Sequence, residues 1–382
     1  MDGTPLSSPT PFTPPTTEED RLSWLRLIRS RRVGATTFQR LMAEHGSAQA
    51  ALSALPAIAR AAGIHDYTPC PTDAAQTEMD AGLRKGARLL FLGAPDYPLP
   101  LAALPDPPPV LWARGRGAVL GRPAIAIVGA RNASSLGARM ARKLAEGAGY
   151  HGLVVVSGLA RGIDTAAHNG ALKTGTIAVM AGGVDVIYPA ENEMLAAAIA
   201  DQGLLLSEQP VGLRAQARHF PRRNRLIAGL ARAVIVVEAA EGSGSLITAR
   251  DALDQGRDLL AVPGHPMDPR AAGCNLLIRE GATLVRDTAD ILAALEDNLE
   301  RDPPTPAAGT APAAKPGAPA QDWPDTLTLH RLILDRLGPS PVAEDQLLRD
   351  LALPAQAIAP ALLFLELDGR VQRQPGGMLA RR

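Results

Sequence analysis

Two cysteines, five phenylalanines, four tyrosines and three tryptophans are all the thiol and aromatic chemistry in 382 residues. Cys70 and Cys274 have no CxxC partner and no metal-ligand spacing, so neither a disulfide framework nor a zinc module organises the chain. Aromatics at 3% argue against base-stacking platforms as the main way of binding anything. No sign of charge is in excess: Lys+Arg and Asp+Glu are 39 each, which excludes a globally basic, histone-like protein but leaves room for a local basic site. Apolar runs such as Ala233–Val237 and Leu259–Val262 are far too short to span a bilayer, so no membrane partner is expected. Met1–Thr17 carries five prolines and no basic n-region. It reads as a disordered tail and not as a signal peptide, which makes the cytoplasm the expected location.

The length suggests two or three domains, and composition divides the chain accordingly. After the tail (1–17), residues 18–90 form a small helical domain. Leu22, Leu25 and Ile28, then Phe38, Leu41 and Met42, recur at spacings of three and four, with Gly34 and Gly63 at the connections. Arg31-Arg32-Val33-Gly34 has the flavour of a helix-hairpin-helix turn. Residues 91–297 alternate short apolar runs with helical stretches. The expected strands are Ala124–Val128, Leu153–Val156, Thr176–Met180, Leu204–Leu206, Ala233–Val237 and Leu259–Val262. That alternation predicts an α/β, Rossmann-like, doubly wound and mostly parallel sheet. Residues 298–322 form a Pro/Ala-rich linker, with six prolines and seven alanines between Arg301 and Gln321. Residues 323–382 predict helices at Thr326–Leu337, Glu344–Leu351 and Ala355–Leu367, then two short strands around Pro375-Gly376-Gly377: a winged helix.

Ligands of open parallel sheets bind at the carboxyl ends of the strands. Those ends are rich in small residues here: Gly129-Ala130-Arg131, Ser157-Gly158-Leu159-Ala160-Arg161-Gly162, and Gly242-Ser243-Gly244-Ser245. Such turns let backbone amides approach an anion. Position 131 is Arg where GxGxxG needs its second glycine, and GxxxxGK[ST] is absent, so neither usual nucleotide loop is present. The stretch from Pro107 to Ala145 has no acidic residue but contains Arg114, Arg116, Arg122, Arg131, Arg139, Arg142 and Lys143. The stretch from Gln209 to Val237 repeats the pattern with Arg214, Arg218, Arg222, Arg223, Arg225 and Arg232. The two stretches are expected at one sheet edge. His219–Arg225 is expected just before a helix at Leu226–Ala231, where its arginines and the helix N-terminus would grip successive phosphates. A nucleic-acid strand is the polyanion these features suit best. Asp164, Asp185, Glu208 and Glu238 lie at or near strand ends and are candidates for acid–base work. Asp164 reads more simply as capping its helix or orienting Arg161.

Five motifs, in order, carry a family resemblance: Ala126–Arg131, Ser157–Asp164 with Ala167-His168, Phe220–Arg225, Gly242–Ala249, and Pro263-Gly264 with Gly273-Cys274-Asn275. Over roughly residues 90–295 the chain resembles the DNA-processing protein A family (DprA, also called Smf). The resemblance implies a single-stranded DNA-binding protein, without catalytic residues or cofactor, that protects incoming strands and helps load the RecA recombinase in natural transformation. It places a DNA pocket at Arg131, Arg222, Arg223 and Arg225, where position 222 is often lysine in the family. With the strand-end residues, the candidate interface is Gly129, Arg131, Gly158, Arg161, Arg222, Arg223, Asn224, Arg225, Ser243 and Ser245. The resemblance also implies a homodimer. The run from Asn275 to Leu284 has surplus apolar side chains, which makes Leu276, Leu277, Ile278 and Leu284 the candidate interface.

The competing enzymatic reading is a nucleotide N-glycoside hydrolase of the lysine-decarboxylase-like Rossmann type. Its Pro-Gly-Gly-x-Gly-Thr signature is missing, and Gly242-Ser243-Gly244-Ser245 stands in its place. A sequence-specific reader in the winged helix is disfavoured, because Ala355–Leu367 contains no Lys or Arg to reach base edges.

Overall fold

The computed structural model describes residues 13–61, 64–299, 326–338 and 341–351, with 358, 361–362, 365, 370–374 and 378–381 beyond them. Most of the expected tail, Gly63, nearly all of the Pro/Ala-rich linker and the Pro375-Gly376-Gly377 turn lie outside the described residues. Among the described residues no helix is long and apolar enough to cross a membrane.

Three helices form the N-terminal module: α1 (Glu18–Arg29), α2 (Ala35–His45) and α3 (Ala48–Ala61). The Thr17 hydroxyl caps α1 by accepting the Asp20 N–H at 3.1 Å. Acidic Glu18, Glu19 and Asp20 stand in its first turn and Arg26 and Arg29 in its last, which suits the helix dipole. Leu25, Leu27, Phe38, Leu41 and Leu55 fill the core, and Trp24 packs on Phe38 with ring centroids 5.0 Å apart. In the Arg31–Gly34 turn the left-handed residue is Arg32 (φ 64°), whereas Gly34 is extended and starts α2. The turn therefore does not depend on the glycine's freedom.

The central domain runs α4 (Thr72–Arg84), β1 (Ala87–Phe91), α5 (Leu99–Ala102), β2 (Val110–Gly115), β3 (Ala124–Gly129), α6 (Ser135–Tyr150), β4 (Val154–Ser157), α7 (Ile163–Ala171) and β5 (Thr176–Val179). It continues with α8 (Glu193–Gln202), β6 (Leu204–Ser207), α9 (His219–Leu230), β7 (Ala233–Val237), α10 (Gly244–Asp254), β8 (Asp258–Ala261), α11 (Ala272–Arg279), β9 (Thr283–Leu284) and α12 (Thr288–Leu299). The nine strands lie in the order β1-β2-β6-β5-β4-β3-β7-β8-β9. From β6 to β9 every pairing is parallel, while β2 joins β6, and β1 joins β2, antiparallel. The six expected strands all form, within about one residue of their expected bounds. They are buried on both faces, which is why they read as unbroken apolar runs rather than alternating ones. The antiparallel pair was not legible as strands, and β1 joins the sheet from a segment expected to close the helical domain.

The chain winds from β3 outward to β6, then crosses back to β7 on the other side of β3. The order reverses between β3 and β7, and their carboxyl ends diverge there into a crevice.

The C-terminal module contains α13 (Thr326–Arg336), β10 (Val342–Ala343), α14 (Glu344–Leu351), β11 (Val371–Gln374) and β12 (Met378–Arg381), the strands forming an antiparallel sheet in the order β10-β12-β11. The expected third helix, Ala355–Leu367, lies mostly outside the described residues. Its described members Ile358, Ala361, Leu362 and Leu365 are buried with Ile333, Leu347 and Leu379.

Candidate nucleic-acid interface

A cleft of about 780 Å³ opens at the point where the strand order reverses. The β3 exit supplies Gly129, Arg131 and Asn132, α9 supplies Phe220, Arg223 and Asn224, and the turn into α10 supplies Gly242 to Ser245. Asp164 and Arg270 complete it.

Arg131 is exposed, and among the described residues no carboxylate pairs with it. Its guanidinium lies 5.1 Å from the centroid of the Phe220 ring, an aromatic support that leaves its N–H groups available. Ser243 caps α10, accepting the Ser245 N–H at 3.4 Å, and its hydroxyl meets that of Ser245 at 2.7 Å. Amides at the start of this 11-residue helix and an unpaired arginine thus border one cleft. Together they suit a phosphate.

The equivalent position on α6 is already occupied. Glu238, at the end of β7, accepts the Ser134 backbone N–H at 2.8 Å and also bonds its hydroxyl. The carboxylate sits where a dinucleotide fold holds pyrophosphate, so a nucleotide in the usual orientation would meet like charge. The other candidate acid–base groups are engaged as well. Asp185 accepts the Gly212 N–H at 2.8 Å, and Glu208 pairs with Arg225. Asp164 accepts the amides of Gly158 and Ala160 at 3.1 and 3.2 Å, holding the β4–α7 loop. Burial pushes the Asp164 carboxyl above the usual range, against the pull of nearby Arg223. Among the described residues no group of three or more His, Cys, Asp or Glu side chains could hold a metal.

The arginines expected at one edge are dispersed. His219 begins α9, so the Phe220–Arg225 motif lies inside the helix instead of preceding it. Its side chains therefore fan out at about 100° per residue. Arg222 is exposed. Arg223 is buried, donating from Nη1 to the carbonyls of Gly158 at 2.6 Å and Val179 at 2.9 Å, and from Nε to Asn224 at 3.1 Å. It clips α9 onto the ends of β4 and β5 and forms part of the cleft wall, with burial lowering its pKa to about 10. Gly158 makes this possible, since a Cβ there would lie 1.8 Å from the guanidinium. Gly129 answers a similar demand, its missing Cβ leaving room for the Val237 carbonyl.

Arg225 corrects the expectation that it faces the cleft. It is 15% exposed and turns to Glu208 at 2.6 Å and to Asp106 at 3.3 Å. Arg161 pairs with Glu191 in solvent instead of being oriented by Asp164. Arg122 donates to the carbonyls of Thr174 and Gly152, at the amino ends of β5 and β4. Arg232, just before β7, belongs to the same far end, as does Arg114 on antiparallel β2. Arg139, Arg142 and Lys143 are exposed along α6. Arg270, held by Asp268 through two hydrogen bonds, and Phe220 are cleft residues outside the candidate set. Their signal was position, on an α9 motif and on the loop after β8.

At the sheet edge, α11 fully buries only Gly273 and Cys274. Leu276, Leu277 and Ile278 are half-buried, and Leu284 on edge strand β9 is 41% exposed.

These features define the class: a Rossmann-like α/β protein with a cleft bordered by Arg131 and the α10 N-terminus at its topological switch point, joined to a small helical module and a winged helix. Residues 88–296 match the family described as DNA recombination-mediator protein A, and the chain belongs to that family. Residues 18–81 match a DprA-like N-terminal HHH domain and residues 310–377 a DprA winged helix domain. Protein Smf of Synechocystis is 36% identical over 329 residues, 78% of this chain and 81% of that protein. The DNA processing protein DprA of Streptococcus pneumoniae is 47% identical over 202 residues, 52% of this chain and 71% of the relative. The crystal structure of the S. pneumoniae protein aligns with TM-score 0.59 at 35% identity, covering 72% of this chain and 98% of that one. A Helicobacter pylori DprA structure, described in terms of its single-stranded DNA binding mode, aligns with TM-score 0.51 at 29% identity, covering 56% and 96%.

Proposed function

We propose that this chain processes DNA by binding single strands in the β3–β7 cleft, protecting them and helping to load the RecA recombinase during transformation or recombination. The carrying observation is the unpaired Arg131 beside the open N-terminus of α10, in a chain whose H. pylori relative is described as binding single-stranded DNA. Arg131, Arg222, Asn224, Ser243 and Ser245 are the contacts to the strand in this reading. Gly129, Gly158 and Arg223 build the wall behind them, and no step requires a catalytic group or cofactor. The carboxylate already held at the α6 N-terminus favours this reading over nucleotide hydrolysis.

The protein acts as a homodimer through Leu276, Leu277, Ile278 and Leu284, whose half-buried side chains at the sheet edge support an isologous contact. Two linked clefts on one strand would raise avidity through effective concentration. Fluorescence anisotropy with labelled single-stranded and duplex oligonucleotides across a salt series tests the binding. Single strands should bind more tightly, with log K falling about 0.7 per phosphate neutralised. Equal or tighter duplex binding, or insensitivity to salt, refutes it. The RecA step is tested by whether the chain accelerates RecA nucleation on a strand.

A further inference from the structure

Aromatic side chains are scarce in this protein, yet two of them meet at the mouth of the cleft. Phe220, at the start of α9, lines the cleft, and Tyr188, in the β5–α8 connection, lies beside it with ring centroids 6.0 Å apart and planes inclined by 63°. The Phe220 ring is already engaged: the guanidinium of Arg131 lies 5.1 Å from its centroid, that of Arg223 5.8 Å, and the edge contact with Tyr188 closes another approach. Tyr188 differs. It is 56% exposed, and packing in the core does not account for it. An amphipathic ring in edge contact with Phe220 and more than half exposed offers a π face at low entropic cost.

We infer that Tyr188 stacks on a nucleobase of the strand whose phosphates lie at Arg131 and the α10 N-terminus. The inference rests on the single-strand reading above and deepens it. Phosphates held by Arg131 and backbone amides leave the bases of a single strand unpaired and turned outward, where they need an apolar partner. A duplex offers no such base. Stacking is tolerant of sequence because every base has a π face. One aromatic contact beside a phosphate site therefore adds strand selectivity without adding base preference, and it reconciles few aromatics overall with a stacking contact at the place where it counts.

The test compares the full chain binding oligothymidylate with a backbone of equal length built from abasic sugar-phosphates. Wild type, Tyr188→Ala and Tyr188→Trp are measured by competition anisotropy. Wild type should prefer the base-bearing strand about tenfold, within the range seen for a single base–aromatic stack. Tyr188→Ala should lose that preference, binding both strands about equally while keeping the wild-type salt slope. Tyr188→Trp should retain it. Circular dichroism confirms that each variant is folded, as expected for so exposed a position.

An unchanged preference in Tyr188→Ala overturns the inference while leaving the cleft as the phosphate site. A wild type with no preference for bases does the same, because contact is then to the backbone alone. Loss of the preference through a lower salt slope, not through the bases, assigns Tyr188 to positioning Arg131 and also overturns it. A wild type that binds neither strand refutes the single-strand reading itself, and the stacking role with it.

Discussion

Replacing Arg225 by alanine separates the two roles that its motif allows. In the structure its guanidinium donates to Glu208 at 2.6 Å and to both the carbonyl and the carboxylate of Asp106. Arg225 and Glu208 are 15% and 18% exposed, so the pair is largely shielded from water, whereas Asp106 at 42% is not. Removing one partner of a buried pair costs about 3–5 kcal/mol, because the other charge is left uncompensated. Partial exposure and the wetter Asp106 reduce this to about 2–3 kcal/mol. With a urea m-value near 2–3 kcal/mol/M, the midpoint of unfolding should fall by about 1 M. Adding Glu208→Gln to the Arg225→Ala variant should recover part of the loss, as coupled neighbours do. Asp106, whose carboxyl burial already raises, should move further up once the arginine no longer pulls it down. DNA affinity, measured well below the unfolding midpoint, should stay within about threefold of wild type. An unchanged midpoint with affinity lost more than tenfold would refute the reasoning and return Arg225 to the DNA contacts.

Arg131→Ala should do the reverse: unchanged melting, weaker binding to single strands, and a log–log salt slope smaller by about 0.7, the share of one phosphate. Unaltered affinity would remove Arg131 from the interface. Gly158→Ala should destabilise by about 1–3 kcal/mol, since its Cβ would collide with the buried Arg223 guanidinium, and a wild-type urea midpoint would contradict that packing. His168 is fully buried, its Nδ1 at 2.7 Å from the Thr176 hydroxyl, and burial lowers its pKa to about 3. The unfolded chain takes up its proton near pH 6.5 and the folded one does not, so this contribution is complete above pH 6.5 and fades as pH falls toward 3. Between pH 6.5 and 5 the loss should reach about 2 kcal/mol, and His168→Gln should lack that slope in urea titrations. Leu277→Arg should turn a dimer into a folded monomer by light scattering and bind DNA less tightly. A wild-type monomer sinks the interface, and an unfolded variant assigns Leu277 to the core.

Much of the fold was legible because burial on both faces leaves a plain trace. Ile125, Val155, Ile177, Leu205, Ile235 and Leu260 all sit in runs that only a covered parallel strand needs. The β1–β2 pair was not legible, because short runs such as Ala87–Phe91 are equally compatible with helix ends, and only pairing to β6 made them strands. Of the strand-end glycines, Gly129, Gly242 and Gly244 line the cleft, yet Gly158 serves Arg223 and Gly129 serves Val237. Their signal was close packing within the protein, which looks the same in sequence as close approach of a ligand.

What the sequence by itself determined is the inventory and the frame: alternating buried strands and helices, a ligand crevice expected at their glycine-rich carboxyl ends, and an arginine-rich motif beside it. Which arginines face that crevice was decided only by the tertiary structure. The reason is helical geometry. Once His219 begins α9, Arg223 and Arg225 stand about 200° apart around one axis. One is carried to the carbonyls of Gly158 and Val179, the other to Glu208 and Asp106. Those acceptors arrive from segments 17 to 119 residues away, and no reading of a six-residue motif contains them.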